Sequence, residues 1–161
     1  MTVHVHTGPE SQADLAAGRI VARVEIAAAP DRVFRALASE QLVNWWGSPD
    51  TYRTTRWTGD LRVGGSWRTD GVGADGQPFS VEGEFLEIDP PRRLVQTWRP
   101  DWDDHQTTTI TYQLEPVAGG TRLTIRHEGF GSRTQSCESH AMGWKQVLEW
   151  LRHYCEPAWR P

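Results

Sequence analysis

Two histidines and a set of tryptophans are the side chains whose types and spacing could do chemistry. In "TRLTIRHE", His127 alternates with Leu123 and Ile125, so it shares their face of a strand. His140 follows across the short segment "EGFGSRTQ" and falls in the apolar stripe of a helix-periodic run. Both imidazoles are therefore expected at the same end of any internal space. Such a pair has several uses: core histidines satisfied by hydrogen bonds, polar anchors for a bound molecule, a general acid and base, or metal ligands. No carboxylate or cysteine is brought to them by spacing, so no metal site and no cofactor is expected.

The chain holds nine tryptophans, and "QLVNWWGSPD" sets Trp45 beside Trp46. Adjacent residues in a helix diverge by about 100°, so the two indoles cannot fill one pocket. One is expected in the core and the other at the mouth of a cavity. Trp45, Trp67, Trp98 and Trp144 are the candidate walls of that cavity, with His127 and His140 as its polar anchors. Arg68 and Arg99 each follow a tryptophan, and alternation turns both toward solvent. Glu84 lies opposite Phe85 and reads as a solvated strand residue. Cys137 sits near a helix start, where a thiol pKa can fall, but on the buried side, which favours an inert thiol. No catalytic residue is assigned. The chain lacks a phosphate loop, a dinucleotide fingerprint, zinc-spaced cysteines and a nucleophile elbow.

The elements that must hold these residues are legible. "RIVARVEI" alternates Ile20, Ala22, Val24 and Ile26 against Arg23 and Glu25 and predicts a half-buried strand. Pro30 and Asp31 open a short helix carrying Val33, Phe34 and Leu37. A second short helix is expected over Leu42, Val43, Trp45 and Trp46, ended by Gly47 and Pro49. From 51 to 127, Gly64-Gly65, Asp75-Gly76, Pro90-Pro91 and Gly119-Gly120 punctuate strand-like runs at hairpin spacing. Leu94, Gln96 and Trp98 share one face, as do Ile110, Tyr112 and Leu114. Over 136–156, His140, Trp144, Val147, Leu148, Leu151, Tyr154 and Cys155 form one stripe, opposite Glu138, Met142, Lys145, Glu149 and Arg152. An amphipathic helix of about 30 Å results. The fold class is α+β: a bent antiparallel sheet of six or seven strands wrapped around a long C-terminal helix, with two short helices after the first strand.

Totals narrow the function. The 161 residues suit one domain, placed at 19–156 after a flexible tail over 1–18 that includes "HVH" at 4–6. A net charge of −4 argues against a nucleic-acid partner. Sixteen of the seventeen basic residues are arginine, which composition bias explains. No run is long enough for a membrane span and no signal peptide is evident, so a cytoplasmic protein is expected, as monomer or homodimer. Cys137 and Cys155, on one helix, would stand about 27 Å apart and cannot pair.

The segments "VEIAAAPDRVFRALAS", "NWWGS", "GDLRVGGSWR", "GEFLEIDPPRRLVQTW", "GTRLTIRHEGF" and "HAMGWKQVLEWL" occur in an order that resembles a known family. They are similar to the START-like (SRPBCC, birch-pollen-allergen-like) superfamily, in the branch named for the activator of the 90-kDa heat-shock protein ATPase. The resemblance runs over about 19–155. It implies a helix-grip fold with a cavity between helix and sheet that holds apolar small molecules, and it brings no universal catalytic residue. The first expected function is binding of a hydrophobic or aromatic small molecule. A chaperone partner, whose ATPase the chain would stimulate, is the second. The eukaryotic activator grips the chaperone with a separate N-terminal domain, where this chain has its 18-residue tail, so a different role is expected. The third is a polyketide cyclase-like enzyme that folds its substrate by shape.

Overall fold

The computed structural model describes residues 8–157, so "HVH" at 4–6 lies outside the described residues. One eight-stranded antiparallel sheet runs in the order β1-β2-β8-β7-β6-β5-β4-β3. The strands are β1 (Glu10–Asp14), β2 (Arg19–Ile26), β3 (Arg53–Gly59), β4 (Ser66–Val72), β5 (Pro78–Asp89), β6 (Arg93–Pro100), β7 (Thr108–Val117) and β8 (Gly120–Glu128). From β3 to β8 each strand pairs with the next, as near-regular turn signals dictate. Then β2 pairs with β8 and seats the start of the domain against its end. The helices are α1 (Pro30–Leu37) and α2 (Thr134–Cys155). Among the described residues no helix is long and apolar enough to cross a membrane.

All six runs read as strands between 51 and 127 pair in the sheet, and the alternation chooses their faces. Register aligns Phe85, Gln96, Ile110, His127 and Ile20 in one row from β5 through β6, β7 and β8 to β2, every one of them buried. A second row carries Leu94, Tyr112, Ile125 and Ala22. The concave face that these rows form receives α2, which buries Cys137, Ala141, Trp144, Val147, Leu148 and Leu151. Met142 stays exposed on the far side.

Residues 10–14, which composition assigned to the flexible tail, instead form β1 on the edge of β2. "ESQAD" has no apolar alternation, and an edge strand of this kind is held by backbone pairing, which side-chain pattern does not reveal. The second short helix is a 3-10 turn over Glu40–Asn44, and Trp45 and Trp46 lie just beyond it. Ser39 caps it by accepting from the Gln41 N–H. Gly47 then takes φ +131, where a Cβ would stand 2.3 Å from the Tyr52 carbonyl oxygen.

The C-terminal end of α2 is clamped. Arg32 on α1 donates to the Cys155 and Tyr154 carbonyls at 3.0 Å each, taking up unpaired acceptors at the C-terminus of α2. Glu156 accepts from the Ala27 N–H at 2.9 Å, and Tyr154 donates to Gln41 at 3.1 Å. The other half of α2 lies against β2 and β8, through Cys137 beside the Arg19 carbonyl and Trp144 on His127.

At Gly83 a Cβ would meet the Thr97 carbonyl oxygen at 2.1 Å and the Trp67 indole nitrogen at 2.6 Å. The Trp67 indole donates to that same carbonyl across the glycine. Gly83→Ala is therefore expected to destabilise the fold by about 2–3 kcal/mol through overpacking and loss of this hydrogen bond. The drop in denaturant midpoint at constant slope checks it.

Candidate functional site

Between α2 and the half of the sheet made by β3 to β7 lies a cavity of about 540 Å³. That volume falls in the range of small-molecule sites. Six indoles line it: Trp46, Trp57, Trp67, Trp98, Trp102 and Trp144. Trp46 is their hub. Its ring stacks on Trp98 at 6.0 Å and 21°, meets Trp144 edge-on at 5.8 Å, and has Trp45 behind it at 5.2 Å. Trp98 continues to Trp67 at 6.0 Å and to Trp102 at 6.5 Å. Such offset and edge contacts suit the ring quadrupoles and hold the walls rigid. Asp75 is the one carboxylate among the lining residues, on the exposed β4–β5 turn, and no Arg or Lys lines the cavity.

The indole N–H groups define the histidines. Trp98 donates to His140 Nε2 at 3.2 Å, and Trp144 donates to His127 Nδ1 at 3.0 Å. An indole nitrogen can only donate, so each imidazole must offer a lone pair at that atom. The proton of His140 then sits on Nδ1 and is donated to the Ser136 carbonyl at 2.9 Å. The proton of His127 sits on Nε2 and is donated to the Thr108 hydroxyl at 2.6 Å. The two histidines are opposite tautomers, both neutral, with rings 5.3 Å apart. Burial lowers the pKa of His127 well below the ordinary 6.5, helped by His140 and Arg133. Burial also lowers that of His140, against the opposing pull of the Ser136 carbonyl and Asp103.

A loop over 101–107 closes one side. Asp103 accepts from Arg133 at 2.7 Å and from the Ser136 hydroxyl at 2.6 Å, which anchors the loop to the first turn of α2. Trp102, 55% exposed, lies over His140 with rings 6.5 Å apart and nearly parallel, and meets Phe79 edge-on at 5.6 Å. It forms the rim where the cavity meets solvent.

Trp67, Trp98, His140 and Trp144 line the cavity. Trp45 does not: it is turned into the core, where its indole donates to the Ala36 carbonyl at 2.9 Å, and Trp46 takes the wall instead. The expectation that Trp45 is a wall residue is corrected, because the chain leaves the 3-10 turn before the pair and the backbone beyond it sets which ring faces inward. His127 is fully buried behind Trp144 and is absent from the lining, so as a direct polar anchor it is likewise corrected. Its partners are Trp144 and Thr108.

Sequence reasoning missed Trp46, Trp57, Trp102, Tyr112 and Gln96. For Gln96 and Tyr112 the signal was present: each is a polar group on an otherwise apolar strand face. Trp102 sits in a loop, beyond the reach of periodicity. Arg68 and Arg99 face outward as expected, both on Glu82. Burial pushes the Cys137 thiol up and the Cys155 thiol up to about 11, so neither is a reactive thiolate at neutral pH. Among the described residues no group of three His, Cys, Asp or Glu side chains is placed to hold a metal ion.

The family model for activator of Hsp90 ATPase homolog 1-like proteins matches residues 27–156. No curated protein matches the chain. Among solved structures, a protein from Chromobacterium violaceum is 28% identical, with a TM-score of 0.77 over 88% of this chain and 99% of that one. One from Rhodobacter sphaeroides is 26% identical, with a TM-score of 0.76 over 90% of this chain and 97% of that one. An AHSA1-like protein from Aeromonas hydrophila, 23% identical, shares the fold with a TM-score of 0.71 over 84% and 90% of the two chains.

Because the folded state keeps both histidines neutral below 6.5 while the unfolded chain protonates them, unfolding takes up protons there. Their contribution to stability is complete above 6.5 and is lost as pH falls from 6.5 toward the lowered folded values. The slope approaches about 1.4 kcal/mol per pH unit for each histidine. Denaturant melts between pH 7.5 and 5 are expected to show this fall, and His140→Phe to make it shallower.

Proposed function

This chain belongs to the family of activator of Hsp90 ATPase homolog 1-like proteins, and from that premise we propose that it binds a neutral, flat hydrophobic molecule in the cavity between sheet and α2. The observation that carries the reading is a cavity of about 540 Å³ walled by six indoles, with no cationic side chain in its lining. Aromatic walls held in fixed offset and edge geometry offer flat faces to a flat guest, and the guest displaces water from an apolar surface. An anionic ligand would enter without a countercharge, which the desolvation cost disfavours, and the one lining carboxylate, Asp75, lies on the exposed β4–β5 turn. Both histidines have their nitrogens engaged by protein partners, so their part is to fix the tryptophans that face the guest.

The family description also names an ATPase activator, and stimulation of the 90-kDa heat-shock protein is the competing reading. That activity would be carried by an external surface and would be indifferent to what fills the cavity.

Gly143 separates the two. It lies on α2, lines the cavity, and has nothing within 4 Å of where a Cβ would stand. Gly143→Leu is expected to melt at or above the parent, since helix propensity favours Leu over Gly by up to about 1 kcal/mol. The added side chain intrudes on the cavity, and affinity for planar aromatic probes is expected to fall at least tenfold. In the parent, a probe at about 100 times its Kd should add about 2.7 kcal/mol and several degrees to the melt. A chaperone ATPase stimulated equally by parent and variant, with no probe shifting either, would replace this reading.

A further inference from the structure

Of the lining indoles, those of Trp46, Trp67, Trp98 and Trp144 donate to protein acceptors, and those of Trp57 and Trp102 have no acceptor among the described residues. Buried polar groups without partners carry information, and on the lining these are, among the described residues, the Thr54 and Thr69 hydroxyls on β3 and β4 and, side by side on β6 and β7, Gln96 and Tyr112. Gln96 is 7% exposed and Tyr112 is 2% exposed, and both line the cavity. Among the described residues neither the Gln96 carboxamide nor the Tyr112 hydroxyl has a hydrogen-bond partner. The only side-chain polar atoms there that are both sealed off and unpartnered are Ser11 Oγ and Arg152 Nε. The polar atoms of Gln96 and Tyr112 are therefore not sealed, and the open space that they border is the cavity.

The two residues act from one place. Gln96 is paired with Ile110 and Leu94 with Tyr112, so Gln96 and Tyr112 are diagonal neighbours on the inner face of β6 and β7. That separation is about 7–8 Å, within reach of long and aromatic side chains. Trp98 follows two residues after Gln96 on the same face, and Trp144 meets Tyr112 edge-on at 6.1 Å. Burial raises the Tyr112 pKa, so the phenol keeps its proton and donates. The carboxamide N–H₂ donates too. Two neighbouring donors in an indole-walled space without a lining Arg or Lys suit one neutral oxygen with two lone pairs.

We propose that Tyr112 and Gln96 form a recognition pair for a carbonyl oxygen carried on a flat aromatic ligand, which makes aromatic ketones and quinones the ligand class. The assignment rests on the cavity being a small-molecule site, and it adds the polar group that the guest must carry. A guest without that oxygen leaves both donors buried and unpaired; one that has it fills both.

The test uses the full chain and two probes that share a tricyclic frame, fluorene and 9-fluorenone, followed by tryptophan fluorescence. The quantity read is the ratio of the two Kd values in the parent, in Tyr112→Phe and in Gln96→Met. Each variant is expected to weaken fluorenone binding about tenfold while fluorene binds as well or better, so the ratio collapses. Both variants are expected to melt at or above the parent, because each removes a buried polar group that lacks a protein partner. If both probes bind all three proteins with an unchanged ratio, the carbonyl assignment falls and the cavity remains an aromatic site. A melt many degrees below the parent in both variants would make the two groups structural and also overturns the assignment. Binding of neither probe to the parent removes the ligand-binding reading and this one with it.

Discussion

Two hydrogen bonds from indole to imidazole, Trp98 to His140 and Trp144 to His127, cross between sheet and helix in opposite directions. The first donor is on β6 and its acceptor on α2; the second donor is on α2 and its acceptor on β8. Each link holds a large flat ring at a set angle, and each requires a neutral histidine of one tautomer. Those tautomers depend in turn on Ser136 and Thr108. The aromatic walls are therefore oriented by a polar network whose members satisfy one another. An apolar contact at the same positions would hold the rings less specifically, since dispersion has little directionality.

That network explains how the fold keeps an open space where a core would ordinarily close. Interiors pack to crystal-like density, and a void forfeits the contacts of its lining. Here α2 is fixed at its C-terminal end by Arg32, Glu156 and Tyr154, and its first turn is fixed to the 101–107 loop through Asp103. Between those points the helix is held off β3 to β6 by indoles that lean on each other. The two fixed ends and the hollow between them are complementary parts of one arrangement.

Membership of the family is compatible with several roles, because the fold sets where a cavity can form and the lining sets what enters. The relatives share the sheet and the long helix at 26–28% identity. In this chain the lining consists largely of six indoles, a neutral histidine held in place by its neighbours, and Gln96 and Tyr112 without protein partners.

Much of this was written locally. Alternation in β2 and β4 to β8 assigned inward and outward faces, and the 3.6-residue stripe of α2 placed Trp144, Val147, Leu148 and Leu151 on the sheet. Those signals survive in a sequence because they depend on each element's own period. Other features needed the assembled molecule. Strand β1 has no apolar pattern and exists because β2 offers it an edge. Trp46 rather than Trp45 faces the cavity because of how the backbone leaves a 3-10 turn. His127 is lost as an anchor, and Gln96 and Tyr112 stand out, only once register and the opposing helix show which polar atoms already have partners. Periodicity specifies the face on which a side chain lies; the satisfaction of its hydrogen bonds depends on residues distant in the chain, and only the tertiary structure brings those together.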